Sequence, residues 1–194
     1  MGKKIPQIIL ASKSPRRKEL LEDVGIKPVI VVSEADENIS ENDPRELVKK
    51  LSLIKAQAVY ENVKNDSYYD DYLVLGADTV VYSGGRILGK PSDKEDARNM
   101  IKELSGRSHS VFTGFTVIDK TGKAFTDYAQ TLVYVYEMSD EDVEEYISTK
   151  EPYDKAGAYG IQGLFKEYVE KIEGDYNNVV GLPVAKILQM IRNM

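Results

Sequence analysis

Short apolar runs alternate with amphipathic stretches along the whole of this 194-residue chain. The run from Tyr72 to Val81 is almost continuously apolar, which is typical of a strand covered on both faces. Polar turns at 83–85 and 120–122 each separate two apolar runs, so they predict hairpins and antiparallel strand pairs. The predicted strands are 8–11, 29–32, 72–81, 86–88, 111–118, 125–136 and 168–172.

Helix start signals stand between these strands. Ser14 before Pro15 predicts a first helix that stops at Gly25, and Ser92 with Glu95 predicts a capping box for a helix ending at Gly106. Three further helices are predicted at 44–63, 140–148 and from Pro183 to the end. For the helix at 44–63, which begins after Asp43, the predicted apolar stripe consists of Leu47, Leu51, Ile54, Ala58 and Val59.

This order of elements predicts an α/β fold with a mixed sheet and flanking helices. Strands and helices are interspersed throughout, without internal repeats or a low-complexity linker. We therefore expect one domain over residues 1–194.

The amino-acid composition excludes several kinds of catalytic and metal site. The chain has no cysteine and one histidine, His109, so disulfides, thiolate nucleophiles and cysteine-based zinc sites are excluded. Any bound metal would need oxygen ligands, which favours Mg²⁺ or Mn²⁺. The net charge of −6 disfavours general binding to nucleic acids or acidic membranes. With no membrane-length apolar run, and an N-terminal one too short for a signal peptide, a cytoplasmic protein is expected.

The segment from Ser12 to Lys18 joins a predicted strand to a helix N-terminus. Free backbone N–H groups and the helix dipole favour an anion there, and Arg16 and Arg17 can donate bidentate hydrogen bonds to phosphate oxygens. A capped helix with solvated basic residues explains the same pattern, so both interpretations stand.

Asp78 is a carboxylate late in an apolar strand, where open α/β sheets often place catalytic groups. A structural aspartate that caps a turn is the alternative. Glu34, at the end of another strand, could join Asp78 in holding Mg²⁺. Its surroundings, SEADEN, are equally compatible with an ordinary acidic loop.

Three other polar residues are weaker candidates. Lys90 lies in LGKP, which fails the P-loop pattern because Pro91 replaces the hydroxyl residue, although the lysine could still reach a phosphate. Gln162 ends a glycine-rich loop at 154–163 and could read a base edge through its amide, or belong to an ordinary turn. Lys55, on a predicted helix, is by default a solvated lysine.

Taken together, the chain resembles the Maf family of nucleotide pyrophosphatases. The matching stretches follow one another in family order over essentially the whole chain: LASKSPRRKELL, VSEADEN, GADTVV, GKPSD, LSGRSHSVFTG, EPYDKAGAYGIQG and GDYNNVVGLP. Their joint order carries the resemblance, since none of them is decisive alone.

The resemblance implies two lobes flanking a deep cleft, similar to inosine triphosphate pyrophosphatases, and dependence on Mg²⁺ or Mn²⁺. It implies hydrolysis between the α and β phosphates, with Asp78 as the proton acceptor. The SPRR, ADT and IQG combination is similar to the subgroup that acts on dTTP and UTP. The matched positions are Arg16, Thr79 and Gln162 for substrate choice, and Ser12, Arg17, Glu34, Lys55 and Lys90 as further polar residues.

From these positions follows a mechanistic hypothesis. Glu34 and Asp78 would place a divalent ion and a water, and Asp78 would accept the water's proton. Basic residues (Arg16 or Arg17, Lys55 and Lys90) would hold the triphosphate. The resemblance also suggests a homodimer. The competing hypothesis is a regulatory protein, linked to septum formation or cell division, that binds nucleotides without hydrolysing them.

Overall fold

The computed structural model describes residues 5–194. Its strands are β1 (Gln7–Leu10), β2 (Val29–Ile30), β3 (Tyr72–Ser83), β4 (Arg86–Leu88), β5 (Ser108–Asp119), β6 (Ala124–Val135) and β7 (Val169–Glu173). Its helices are α1 (Pro15–Glu22), α2 (Pro44–Val63), α3 (Lys94–Leu104), α4 (Asp140–Ser148), α5 (Tyr176–Val180) and α6 (Val184–Asn193). All of these except the short helix α5 were predicted from the sequence.

The strands form one seven-stranded sheet in the order β2-β1-β3-β5-β6-β7, with β4 paired to β3. Strand β1 is parallel to both β2 and β3. Strands β3 and β4, and strands β6 and β7, are antiparallel. The predicted mixed sheet with flanking helices is therefore confirmed.

The chain divides into two compact units. Unit 1 takes in the chain up to Asp78, Thr113–Ala129 and Gly181–Met194, and unit 2 consists of Thr79–Phe112 and Gln130–Val180. Each unit has a hydrophobic core of its own. In unit 1, Ile9 and Val74 of the sheet pack with Val59 of α2. In unit 2, Ile101 of α3 and Ile147 of α4 pack with Phe165.

One predicted helix cap is confirmed in position only, and another needs correction. Ser14 stands at the N-cap of α1, but its side chain makes no capping hydrogen bond. For α3 the cap is Asp93, not Ser92, because the Asp93 carboxylate accepts the Asp96 N–H at 2.8 Å. The Ser92 N–H instead donates to the Asp96 carboxylate at 2.9 Å. The side chains of Asp43 and Ser139 cap α2 and α4, each accepting a backbone N–H of the first turn.

The predicted apolar stripe of α2 is only partly right: Leu51 and Val59 are buried as predicted, whereas the buried face as a whole is rotated away from the other three residues. The helix buries mainly the side chains of Val48, Leu51, Ser52, Lys55, Ala56, Val59 and Val63. Leu47, Ile54 and Ala58 are only partly buried. The buried face is set by two glycines of the sheet, Gly76 and Gly114, which let the helix backbone lie directly on the strands. Lys55 therefore points inward.

No helix within residues 5–194 is long and apolar enough to cross a membrane.

Candidate active site

Lys55 lies at the centre of a cluster of charged residues in unit 1. Its ammonium donates a hydrogen bond to Asp78 Oδ1 at 2.6 Å and forms an ion pair with Glu37 Oε2 at 2.8 Å. Lys55 is only 9% exposed, so its charge is largely removed from water and requires partners. The two carboxylates supply them.

The backbone explains why Lys55 meets Asp78. At Gly76 of β3, an added Cβ would lie 2.3 Å from the carbonyl oxygen of Ser52 in α2, so only glycine permits this close approach. Residues two apart on a strand share a face, which places Asp78 on the same side of β3 as Gly76. Lys55 follows Ser52 by about one helical turn and faces that side too.

Arg17, at the start of α1, belongs to the same neighbourhood. Its Nε donates to the Gly181 carbonyl at 2.9 Å, and its Nη1 donates to Ser12 Oγ at 3.2 Å. Burial lowers the pKa of the Arg17 guanidinium, and the nearby charge of Asp78 acts in the opposite direction. The adjacent Arg16 is half-buried, and its positive charge also acts on Arg17. Unit 1 thus brings Ser12, Arg16, Arg17, Lys55 and Asp78 into one neighbourhood.

Three other predicted residues belong to unit 2. Thr79 is half-buried on β3, whereas Lys90 and Gln162 are exposed. The backbone N–H of Gly157 donates to the Gly89 carbonyl at 2.9 Å, so the glycine-rich loop is attached directly beside Lys90.

Glu37 was not predicted from the sequence, whereas Glu34 was a candidate metal ligand. Both carboxylates belong to the acidic run SEADEN and both residues are exposed. Within residues 5–194, the acid of this run that pairs with Lys55 is Glu37. No hydrogen bond or ion pair of the described chain joins Glu34 to Lys55 or Asp78. No local pattern singles out Glu37, because the inward orientation of Lys55, which requires a counter-charge, is set by glycines on other elements.

The side chains present suit a hard cation bound through oxygen. Asp78 and Glu37 come within hydrogen-bonding distance of one ammonium, and Glu34 lies three residues from Glu37. The described part of the chain holds no group of three or more acidic or histidine side chains arranged as a metal cage. Mg²⁺ commonly binds through one or two carboxylates, with substrate phosphates and water completing its shell, so this donor set fits it.

His109 is committed elsewhere. It is 2% exposed, and its Nε2 lies 2.6 Å from the hydroxyl oxygen of Tyr159 in unit 2. Burial lowers the pKa of the imidazole to about 4, so it is neutral at physiological pH. Because its Nε2 is engaged by Tyr159, the one histidine of this chain does not act as the base of a serine–histidine–aspartate triad.

Two solved structures share the fold: the Ham1 protein of Staphylococcus aureus (TM-score 0.55, 11% identity, 96% of this chain and 98% of that one) and a HAM1 protein from Coxiella burnetii (TM-score 0.52, 14% identity, 97% and 98%). At such identities the likeness concerns the fold alone.

Sequence relatives are much closer. A protein of Agathobacter rectalis named dTTP/UTP pyrophosphatase is 48% identical over 97% of each chain. One of the same name from Bacillus cereus is 47% identical, over 98% of this chain and 91% of its own. The family model described as Maf-like protein matches residues 7–194. The chain therefore belongs to the Maf family.

Proposed function

We propose that this protein hydrolyses dTTP and UTP to the nucleoside monophosphate and pyrophosphate. The observation that carries the proposal is the Lys55–Asp78 pair, in which a carboxylate is held by a largely buried ammonium. Asp78 lies near the middle of β3 and not late in the strand, because the strand continues to Ser83. The names of relatives 47–48% identical over nearly the whole chain support the same substrates. They denote an enzymatic activity, so they do not favour the regulatory alternative.

Asp78 is the proton acceptor in the proposed reaction. A water oxygen attacks the α-phosphorus, its proton passes to the Asp78 carboxylate, and the bond between the α-phosphorus and the bridging oxygen breaks to release pyrophosphate. Lys55 donates to Oδ1 at 2.6 Å and so fixes the orientation of the carboxylate. A general base must be held within hydrogen-bonding reach of the proton that it abstracts, and this pair provides that rigidity.

The basic residues act on the phosphates. Arg16, Arg17, Lys55 and Lys90 would hold the triphosphate and offset the charge that builds on the departing pyrophosphate. Ser12 accepts a hydrogen bond from Arg17 at 3.2 Å and thereby orients its guanidinium. Arg17 is further fixed by its bond to the Gly181 carbonyl at 2.9 Å. Such preorganised cations need little rearrangement when the transition state forms.

A divalent cation, Mg²⁺ or Mn²⁺, is the proposed cofactor, and Asp78 and Glu34 would hold it together with phosphate oxygens. When bound, it would polarise the phosphates and help to activate water. Glu37, which already pairs with Lys55 at 2.8 Å, is close enough to Asp78 to adjust the charge of this site.

Base choice is assigned to Thr79 and Gln162. The amide of Gln162 offers both a donor and an acceptor, and the side chain is exposed on its loop. A site that hydrogen-bonds the edge of uracil or thymine rejects a base that leaves these groups unpaired. We therefore expect purine triphosphates to be poor substrates.

Replacement of Asp78 by asparagine tests the proton acceptor. Asp78→Asn keeps the shape and an oxygen that can accept from Lys55, so the protein should fold and keep much of its nucleotide affinity. Turnover of UTP should fall by at least about 100-fold, the lower range for loss of general acid–base catalysis. The measurements are kcat, nucleotide affinity by calorimetry, and the melting temperature. A folded Asp78→Asn protein with near-normal kcat would contradict the assignment.

A further inference from the structure

Gln162 lies on a turn that has little regular structure of its own. The Gly163 N–H donates to the Gly160 carbonyl at 3.1 Å and closes the turn at 160–163, with Gln162 exposed inside it. Glycines on both sides make such a turn easy to deform. An amide that is to recognise a base needs a better-fixed backbone than the turn alone provides.

The carboxylate of Glu151 supplies that support. Its Oε2 accepts the backbone N–H of Leu164 at 2.8 Å, immediately after the turn. Its Oε1 accepts the hydroxyl of Tyr146 at 3.2 Å, and Tyr146 is anchored in the buried face of α4. Burial and the charge of Glu151 raise the pKa of Tyr146, so the phenol stays protonated and donates. Glu151 thus connects the turn to a rigid helix.

Gly163 is shaped to receive this carboxylate. Its φ of −94° is open to any residue, so backbone conformation does not require glycine here. A Cβ at this position would lie 2.2 Å from both oxygens of Glu151. The absent side chain is therefore what allows the carboxylate to lie against the turn.

Lys155 holds the other end of Glu151. Its ammonium donates to the Glu151 backbone carbonyl and to Asp154 Oδ1, each at 2.6 Å. Its aliphatic stem also passes close to the turn, because a Cβ on Gly160 would meet Lys155 Cε at 2.7 Å. Both the backbone and the side chain of Glu151 are thereby restrained.

We propose that Glu151 is a positioning residue for base recognition: it fixes the turn at 160–163 and, through it, the Gln162 amide. This inference rests on the proposed function, because it assumes that Gln162 reads the base. Glu151 acts through Gln162 and is not assigned a contact with the substrate.

The test compares kcat and KM for UTP and GTP in the wild-type protein, five single variants and one double variant. Glu151→Ala removes the support, and Gly163→Ala should displace the carboxylate without altering it. Glu151→Gln keeps an acceptor for the Leu164 N–H and a polar group for Tyr146. Glu145→Ala, an exposed acid on α4, is the matched control. Gln162→Ala marks the loss of the reading group itself.

Loss of a hydrogen bond to a charged group corresponds to about a tenfold change in an equilibrium. We expect Glu151→Ala and Gly163→Ala each to raise the KM for UTP about tenfold and to lower the ratio of kcat/KM for UTP over GTP similarly. Glu151→Gln and Glu145→Ala should stay near the wild type. The double variant Glu151→Ala/Gln162→Ala should be no less selective than Gln162→Ala alone, because Glu151 acts only through Gln162 and the two changes remove the same function.

A second readout does not depend on catalysis. Hydrogen exchange at the Leu164 amide should become faster in Glu151→Ala and Gly163→Ala, but not in Glu145→Ala. Unchanged exchange in both would overturn the proposed contact.

Three kinetic results would also overturn the role. An unchanged selectivity ratio in Glu151→Ala, with Gln162→Ala less selective, would remove Glu151 from base recognition and leave the proposed function standing. An equal loss for UTP and GTP in Glu151→Ala would indicate general structural damage instead. A wild-type protein that does not hydrolyse UTP would contradict the proposed function, and this role with it.

Discussion

At the scale of single residues, the buried ammonium of Lys55 determines how the neighbouring carboxylates are held. The Lys55 side chain is largely buried, and its ammonium lies 2.6 Å from Asp78 Oδ1 and 2.8 Å from Glu37 Oε2. A buried ion pair is weak evidence for stability, because desolvation offsets much of the attraction. The contribution of these ion pairs is geometric, because each charged group fixes the orientation of the others. Asp78, the proposed proton acceptor, is thereby held in one orientation.

His109 makes stability depend on pH. Its pKa is about 4 in the folded protein, against about 6.5 for a solvated imidazole, because of burial. The unfolded chain therefore binds the proton more readily. The free energy of unfolding should be insensitive to this group above about pH 6.5 and should fall by about 3 kcal/mol as the pH is lowered to 4.

The measurement is denaturant unfolding of the wild type and of His109→Gln at several pH values from 7 to 4. The variant lacks the titrating imidazole but keeps a polar group for Tyr159. The wild type and the variant have the same acidic residues, so protonation of those residues affects both proteins alike. The loss of stability on acidification should therefore be smaller in the variant. Parallel pH profiles for the two proteins would exclude this role of His109.

Single residues were predicted unevenly from the sequence. Asp78 was identified because a carboxylate in an apolar strand is costly without a partner. Glu37 was missed, since pairing between a loop and a helix is a tertiary contact that no local pattern encodes. Its neighbour Glu34 is equally acidic, and spacing along the chain does not tell the two apart.

At the scale of elements, the contact of α2 with the sheet is the feature that places Lys55. Helix propensity and the start signal at Asp43 predicted the bounds of α2, Pro44–Val63. The orientation of the helix about its axis was missed, because it is set by Gly76 and Gly114 on other elements. The apolar residues of a helix do not show which face is buried when leucines and valines occur on several sides of it, and the predicted face can then be shifted by one position.

Gly114→Ala should weaken this contact. The added Cβ would lie 2.2 Å from the Val48 carbonyl oxygen and 2.3 Å from its carbon, both of them backbone atoms of α2 that cannot rotate away. We expect a loss of about 1–3 kcal/mol or more in the free energy of unfolding, as for overpacked cores. Gly89→Ala is the control, because nothing lies within 4 Å of its added Cβ. Equal melting temperatures for the two variants would contradict this account of α2.

At the scale of the whole molecule, the chain belongs to the Maf family and builds two units with separate cores. The sequence predicted the strands and the mixed sheet, because length and apolar periodicity are local properties. The resemblance implied two lobes, but no local pattern shows where the chain divides: β3, β5 and β6 each contribute residues to both units, and no linker marks the boundary. The cleft, the single domain over 1–194, the cytoplasmic location and the homodimer stay predictions.

Hydrolysis of UTP in ¹⁸O-labelled water with Mg²⁺ shows which bond of the triphosphate this protein cleaves. Attack on the α-phosphorus places the label in UMP and releases unlabelled pyrophosphate, and chelation of the metal should abolish the reaction. Mass spectrometry of the products decides between the outcomes. Label in pyrophosphate, or formation of UDP and inorganic phosphate, would contradict the account.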